Sequence, residues 1–144
     1  MKVMNTFLVA IILSMAAVLS QAQTTAIRLD PNFGTGGTVR TDFAGNIDQA
    51  NAVAIQPNGQ IVAAGSSFSN SKTVEDFIVA RYDANGSLDK RFGKNGQITT
   101  DFFRNVDSIS AIAIQPDGRI VVAGFAQLGG TGHPARLRIS ALPQ

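Results

Sequence analysis

The sequence predicts an all-β fold built from two tandem four-stranded antiparallel blade units. Three observations lead there. One 37-residue stretch occurs twice, its two central strands are apolar on both faces, and 14 glycines and 5 prolines punctuate the strand-like runs.

The repeat is the strongest of the three. Leu29–Gly65 aligns with Leu88–Gly124 without a gap, and 20 of the 37 positions are identical by direct count. A unit of this length is a supersecondary element copied in tandem, and such elements stack to bury faces they cannot bury alone. The first unit spans 29–87 and a second, truncated one 88–144, within a repeat region of 23–144.

Ahead of the repeats, Met1–Ala22 reads as a signal peptide. Lys2 is its positive n-region, Phe7–Leu19 its apolar core, and Ser20-Gln21-Ala22 its small-residue cleavage site. Thirteen helical residues span only ~20 Å, short of the ~30 Å a bilayer requires. Cleavage is expected after Ala22, and the absence of cysteine excludes a lipid-anchored N-terminus. The expected destination is secreted or cell-surface, with no stable membrane anchor.

Thr38–Phe43 is expected to be a strand of the type that ends a blade. A tight hairpin then joins Ala52–Gln56 to Ile61–Gly65 through Pro57-Asn58-Gly59, where proline presets φ and glycine accepts a positive one. A Ser/Asn-rich loop, Ser66–Thr73, leads to a third strand, Asp76–Tyr82, and a turn, Asp83–Ser87. A fourth strand runs from Ile98 to Phe102. The second copy repeats the hairpin but not the end of the unit: Ala135-Arg136 is set against Ala80-Arg81, and Ser140–Gln144 reads as a truncation scar or divergent cap.

In Ala52-Val53-Ala54-Ile55 one face is small and the other large, so the hairpin is expected to be covered on both sides. Sheets stacked face to face by tandem repetition describe a β-propeller, whose blades are four-stranded. The segments LDxxFGxxGxVxTDF, AIxPDGxIVVAG and DFxxARYxxxGSLD together resemble the delta-60 repeat, over Leu29–Gly124. That resemblance implies an exported bacterial propeller-type protein, usually with more copies, and it brings no catalytic residues. Because propellers close with about four to eight blades, the expected partners are further blades from the same or other chains. A fragment of a longer repeat protein is the favoured reading, and a multi-chain ring the alternative.

Charge is nearly balanced, with 12 Lys+Arg against 10 Asp+Glu, and no basic stripe suits a phosphate backbone, so nucleic acid is not an expected partner. Without cysteine, disulfides, thiolate zinc sites and thiol nucleophiles are excluded. His133, the only histidine, reads as a solvated loop residue. Glu75 and Asp76 are adjacent on a strand and point to opposite faces, which argues against a catalytic carboxylate pair.

Asp83–Asp89 alternates oxygen-bearing residues as calcium loops do, but its glycine falls at the wrong position and an Asx turn fits better. Asp42/Asp101 and Asp48/Asp107 recur in both copies and read as structural caps. Gly34, Gly36 and Gly37 read as turn glycines rather than a phosphate loop. No catalytic, cofactor-binding or metal residue is assigned. The expected function is an exported, non-enzymatic module that binds or scaffolds, with protein or carbohydrate as ligand and Ser66–Thr73 as the place to look. The alternative is a fragment of a propeller-type carbohydrate-active enzyme whose catalytic residues lie on absent blades.

Overall fold

The computed structural model describes residues 27–43, 47–68, 75–103, 105–128 and 136–142. The leader, His133 and residues 69–73 of the expected Ser66–Thr73 loop lie outside them, whereas Ser66–Phe68 continue a strand instead of opening the loop, with Ser66 and Ser67 buried. The described residues form seven strands: β1 Asp48–Ile55, β2 Ile61–Phe68, β3 Glu75–Tyr82, β4 Gln97–Thr100, β5 Asp107–Ile114, β6 Ile120–Ala126 and β7 Arg136–Leu142. They make two antiparallel sheets in sequential order, β1-β2-β3-β4 and β5-β6-β7. An all-β architecture of partial blades is therefore present, and the second blade has three strands rather than four.

Both hairpins turn as their sequences require. Gly59 and Gly118 take φ of +85° and +84°, which the turn geometry demands and a β-carbon would resist. The register of each hairpin shifts by one residue, between Ala50 and Ala52 in one blade and between Ile109 and Ala111 in the other. These bulges bring the carbonyls of Gln49 and Ser108 against Gly65 and Gly124, where an added β-carbon would collide with the carbonyl oxygen. The glycine that ends each copy of the phrase is thus fixed by a backbone contact in the opposite strand.

The core lies between the sheets. Val62 and Ala64 of β2, Phe77 and Val79 of β3, and Phe92 meet Ile109, Ile120 and Val122 of the second blade. Each aliphatic side chain buried in this way contributes roughly 1.5–3 kcal/mol. The small face of β1, Ala52 and Ala54, is half-buried, and so is the large face of β5, Ile112 and Ile114. Small therefore packs against large across the junction. Asn51, the extra residue of the first bulge, ties the sheets by donating from Nδ2 to the Ile109 carbonyl at 2.9 Å. Gln56 Nε2 does the same to the Gly118 carbonyl at 2.7 Å.

Three expectations need correction. The hairpin is not covered on both sides: Val53 and Ile55 are 68% and 69% exposed, and Ala111 and Ala113 are exposed at the other end. Their blades have a neighbour on one side only. Thr38–Phe43 is not a strand, although Thr38 forms isolated bridges to Gly34 and Thr35. It lacks what β3 gives β4, an adjacent strand whose backbone groups it can pair with. Finally, the pairs Val62↔Arg81 and Val121↔Ala141 put Ala141 at the position of Arg81, so Arg136 matches Asp76. Ser140–Leu142 consequently belongs to β7.

Replacing Gly65 or Gly124 with alanine should lower stability by about 1–3 kcal/mol, the usual effect of forcing a methyl into a closed site. A fall in the urea midpoint without a change in slope would show it.

Candidate functional site

Two polar clusters and one cleft lie along the junction between the sheets. At the hairpin-turn end, Asp89 is only 3% exposed and collects most of the local donors. Its Oδ2 accepts from Gln60 Nε2 at 2.7 Å and from Arg81 Nε at 3.0 Å, while Oδ1 accepts from Arg91 Nε at 3.0 Å. Arg81 is itself buried, and its guanidinium lies 4.6 Å from the centre of the Phe92 ring. Burial pushes the Asp89 pKa up, but the hydrogen bonds from Arg91, Gln60 and Arg81 outweigh it and hold the carboxyl well below its usual range. The cluster locks the β3–β4 connection onto the start of β2.

Because the folded-state pKa is depressed, this carboxylate contributes stability that is complete above the ordinary value of 3.8 and lost as pH falls below it. Asp89→Asn should cost about 3–5 kcal/mol at neutral pH, since it leaves Arg81 buried beside a neutral group. The variant should also lose less stability than the parent on acidification. Urea titrations at pH 7 and pH 3 would check both.

At the opposite end, Asp76 opens β3, Asp101 follows β4, and Asp107 opens β5. One carboxylate oxygen from each lies within 4.8 Å of the others. Burial raises the Asp76 pKa, and the charges of Asp101 and Asp107 raise it further. Burial likewise raises that of Asp107, against the lowering effect of the Phe102 backbone N–H, which donates to its Oδ2 at 2.8 Å. Oxygen-only trios suit a hard divalent cation such as Ca²⁺ or Mg²⁺, and a shared proton relieves the same repulsion.

The three residues are each visible in the sequence. What brings them together is strand direction: the start of β3, the end of β4 and the start of β5 share one end of the blade. A raised carboxyl pKa means that stability falls as pH rises from 3.8 through the folded-state value. Asp76→Asn should therefore melt higher than the parent at pH 7 and show a shallower decline as the pH rises above 3.8. Differential scanning calorimetry across that range would show it.

Of the recurring aspartates, Asp48 and Asp107 are caps. Asp48 Oδ2 accepts from the Phe43 N–H at 2.9 Å, the counterpart of the Asp107–Phe102 bond. In the turn after β3, Asn85 Oδ1 accepts from the Ser87 N–H at 3.0 Å and from the Ser87 hydroxyl, so this is an Asx turn. Gly34, Gly36 and Gly37 all have positive φ, as turn glycines do. Glu75 is not part of the carboxylate trio, and its backbone is bridged to Val106.

An open cleft of about 540 Å³ lies between the two hairpin turns and is lined by Pro57, Asn58, Arg91, Pro116 and Asp117, among others. Arg91 keeps most of its guanidinium in solvent at the rim while its Nε holds Asp89. The sheets approach most closely along their first strands, β1 and β5, as blades do around an axis. Residues 56–92 and 115–140 match the family model described as "Domain of unknown function (DUF5122) beta-propeller". Over these two segments the chain is similar to a β-propeller family, in keeping with its sheets of partial blades. Each match begins at the glutamine before the hairpin turn, so the propeller phase agrees with the repeat seen in the sequence. No curated protein and no solved structure matches the chain.

Proposed function

We propose that this chain is an exported, non-enzymatic propeller module of the delta-60 type that binds or scaffolds, with a polar ligand such as a carbohydrate or a protein surface. The observation that carries this reading is a division of labour between recurrent and variable positions. Residues shared by both copies, such as Asp48/Asp107, Gln56 and Gly65/Gly124, are engaged in turns, caps and contacts between blades. The turn-tip residues that differ, Asn58 and Asp117, line the cleft between the hairpin turns, with the cationic rim of Arg91 beside them. Variation at turn tips over a fixed scaffold is how propellers acquire ligands. The apolar Met1–Ala22 leader supports export.

Screening the purified protein on glycan and extracellular-protein arrays tests the reading. Binding without turnover is expected, and substitution of Asp117→Ala should weaken it at least several-fold while leaving the melting temperature within about a degree. Hydrolysis or elimination of a bound glycan would instead favour a fragment of a carbohydrate-active enzyme.

A further inference from the structure

The two ends of the described fold are the two halves of an interface that the chain already makes once. Between the blades, Val62, Ala64 and Val79 of the first sheet are at most 3% exposed against Ile109, Ile120 and Val122 of the second. Their counterparts on the outer side of the second sheet are Val121, Ala123 and Ile139, and Ile139 is 67% exposed. At the other end, Val53 and Ile55 are exposed, whereas their counterparts Ile112 and Ile114 pack into the core. One end thus presents a small face and the other a large one. We propose that a second copy of this chain docks head to tail, its Val53/Ile55 face seated on the outer face of β6 and β7.

Backbone and polar groups fit the same docking. Within the chain, β4 completes the first sheet through Phe77↔Thr100, Ile78↔Thr99, Val79↔Ile98 and Ala80↔Gln97. Among the described residues, the outer edge of β7 has no fourth strand and Thr38–Thr41, the counterpart of β4, has no partner strand. In the same register, Thr41, Arg40, Val39 and Thr38 of one copy pair with Leu137, Arg138, Ile139 and Ser140 of the other. Arg40 then sits opposite Arg138, whose guanidinium is already drawn over the Phe103 ring at 4.6 Å.

The acid at the LDxxFG turn also keeps a cation. Asp89 takes donors from Gln60 and Arg81; in the second sheet the corresponding positions are Arg119 and Ala141, so there the arginine stands just ahead of β6 and the docking brings it towards Asp30 of the other copy. In this fold the Arg119 side chain pairs with the exposed Asp117, at 2.7 Å, a pairing of little energetic weight that can be exchanged. Gln115 is the counterpart of Gln56, whose Nε2 donates to the Gly118 carbonyl, and in the docked pair its amide takes the same place against the Gly59 carbonyl of the neighbouring copy. An interface between unlike faces closes into a ring when the rotation permits. With two blades per copy and four to eight per ring, that means about two to four copies.

The test uses the full chain and two surface variants, Val53→Glu and Ile139→Glu, each of which spoils one face and leaves the other intact. Light scattering at tens of micromolar should give the parent a discrete mass of two to four chains, while each variant alone should be monomeric. Circular dichroism and melting confirm that both variants are folded. Mixed in equal amounts, they should form a heterodimer of twice the monomer mass, since each retains the face that the other has lost. A monomeric parent, or folded variants that stay monomeric on mixing, would overturn the proposal. A ligand-binding defect without a change in mass bears on the function proposed above and leaves this inference standing.

Discussion

Everything in this fold depends on a small sheet face meeting a large one. Ala52 and Ala54 leave room for the backbone of the second sheet to approach, and Ile112 and Ile114 fill that room. A β-sheet apolar on both sides cannot stand alone in water, so its stability comes from stacking as much as from its own ladder. With no disulfide to help, the aliphatic contacts between blades and the ties from Asn51 and Gln56 hold the two sheets together. The polar clusters sit at the two ends of this layer, where strands start and stop and where side chains can reach across from one blade to the next.

Much of this was legible in the sequence because a repeat reports its own structure twice. Alternation of small and large residues in AVAI and AIAI identified the stacking faces, and Pro-Asn-Gly and Pro-Asp-Gly located the hairpins. What the pattern could not convey was how many neighbours each blade has. Val53 and Ile55 have the sequence of buried residues and are exposed, because burial depends on a partner that periodicity only implies. Thr38–Phe43 fails to form a strand for the same reason: its residues have strand character, but a strand exists only through its ladder.

The polar sites were harder to read. Asp76, Asp101 and Asp107 lie 25 and 6 positions apart in the chain and converge only through strand direction. Asp89 stood out only as the end of the calcium-loop-like Asp83–Asp89 run and as part of LDxxFG, and neither pattern signals that it anchors two arginines and a glutamine. The likeness of Ala135-Arg136 to Ala80-Arg81 misled, because one extra residue in the β2–β3-type connection of the second copy shifts the true match. The ladder, which pairs Val121 with Ala141, corrects it.

The unit repeated in the sequence and the unit folded in space are out of phase. A copy running from Leu29 to Ser87 begins with the segment that serves the preceding blade and continues with the first three strands of the next. No single copy can therefore fold as a blade, and each covalent unit straddles two of them like a brick laid across a joint. Deleting or cutting one copy would damage two blades, while adding one extends the stack without creating a new seam. Growth by duplication is thus built into the masonry of the chain.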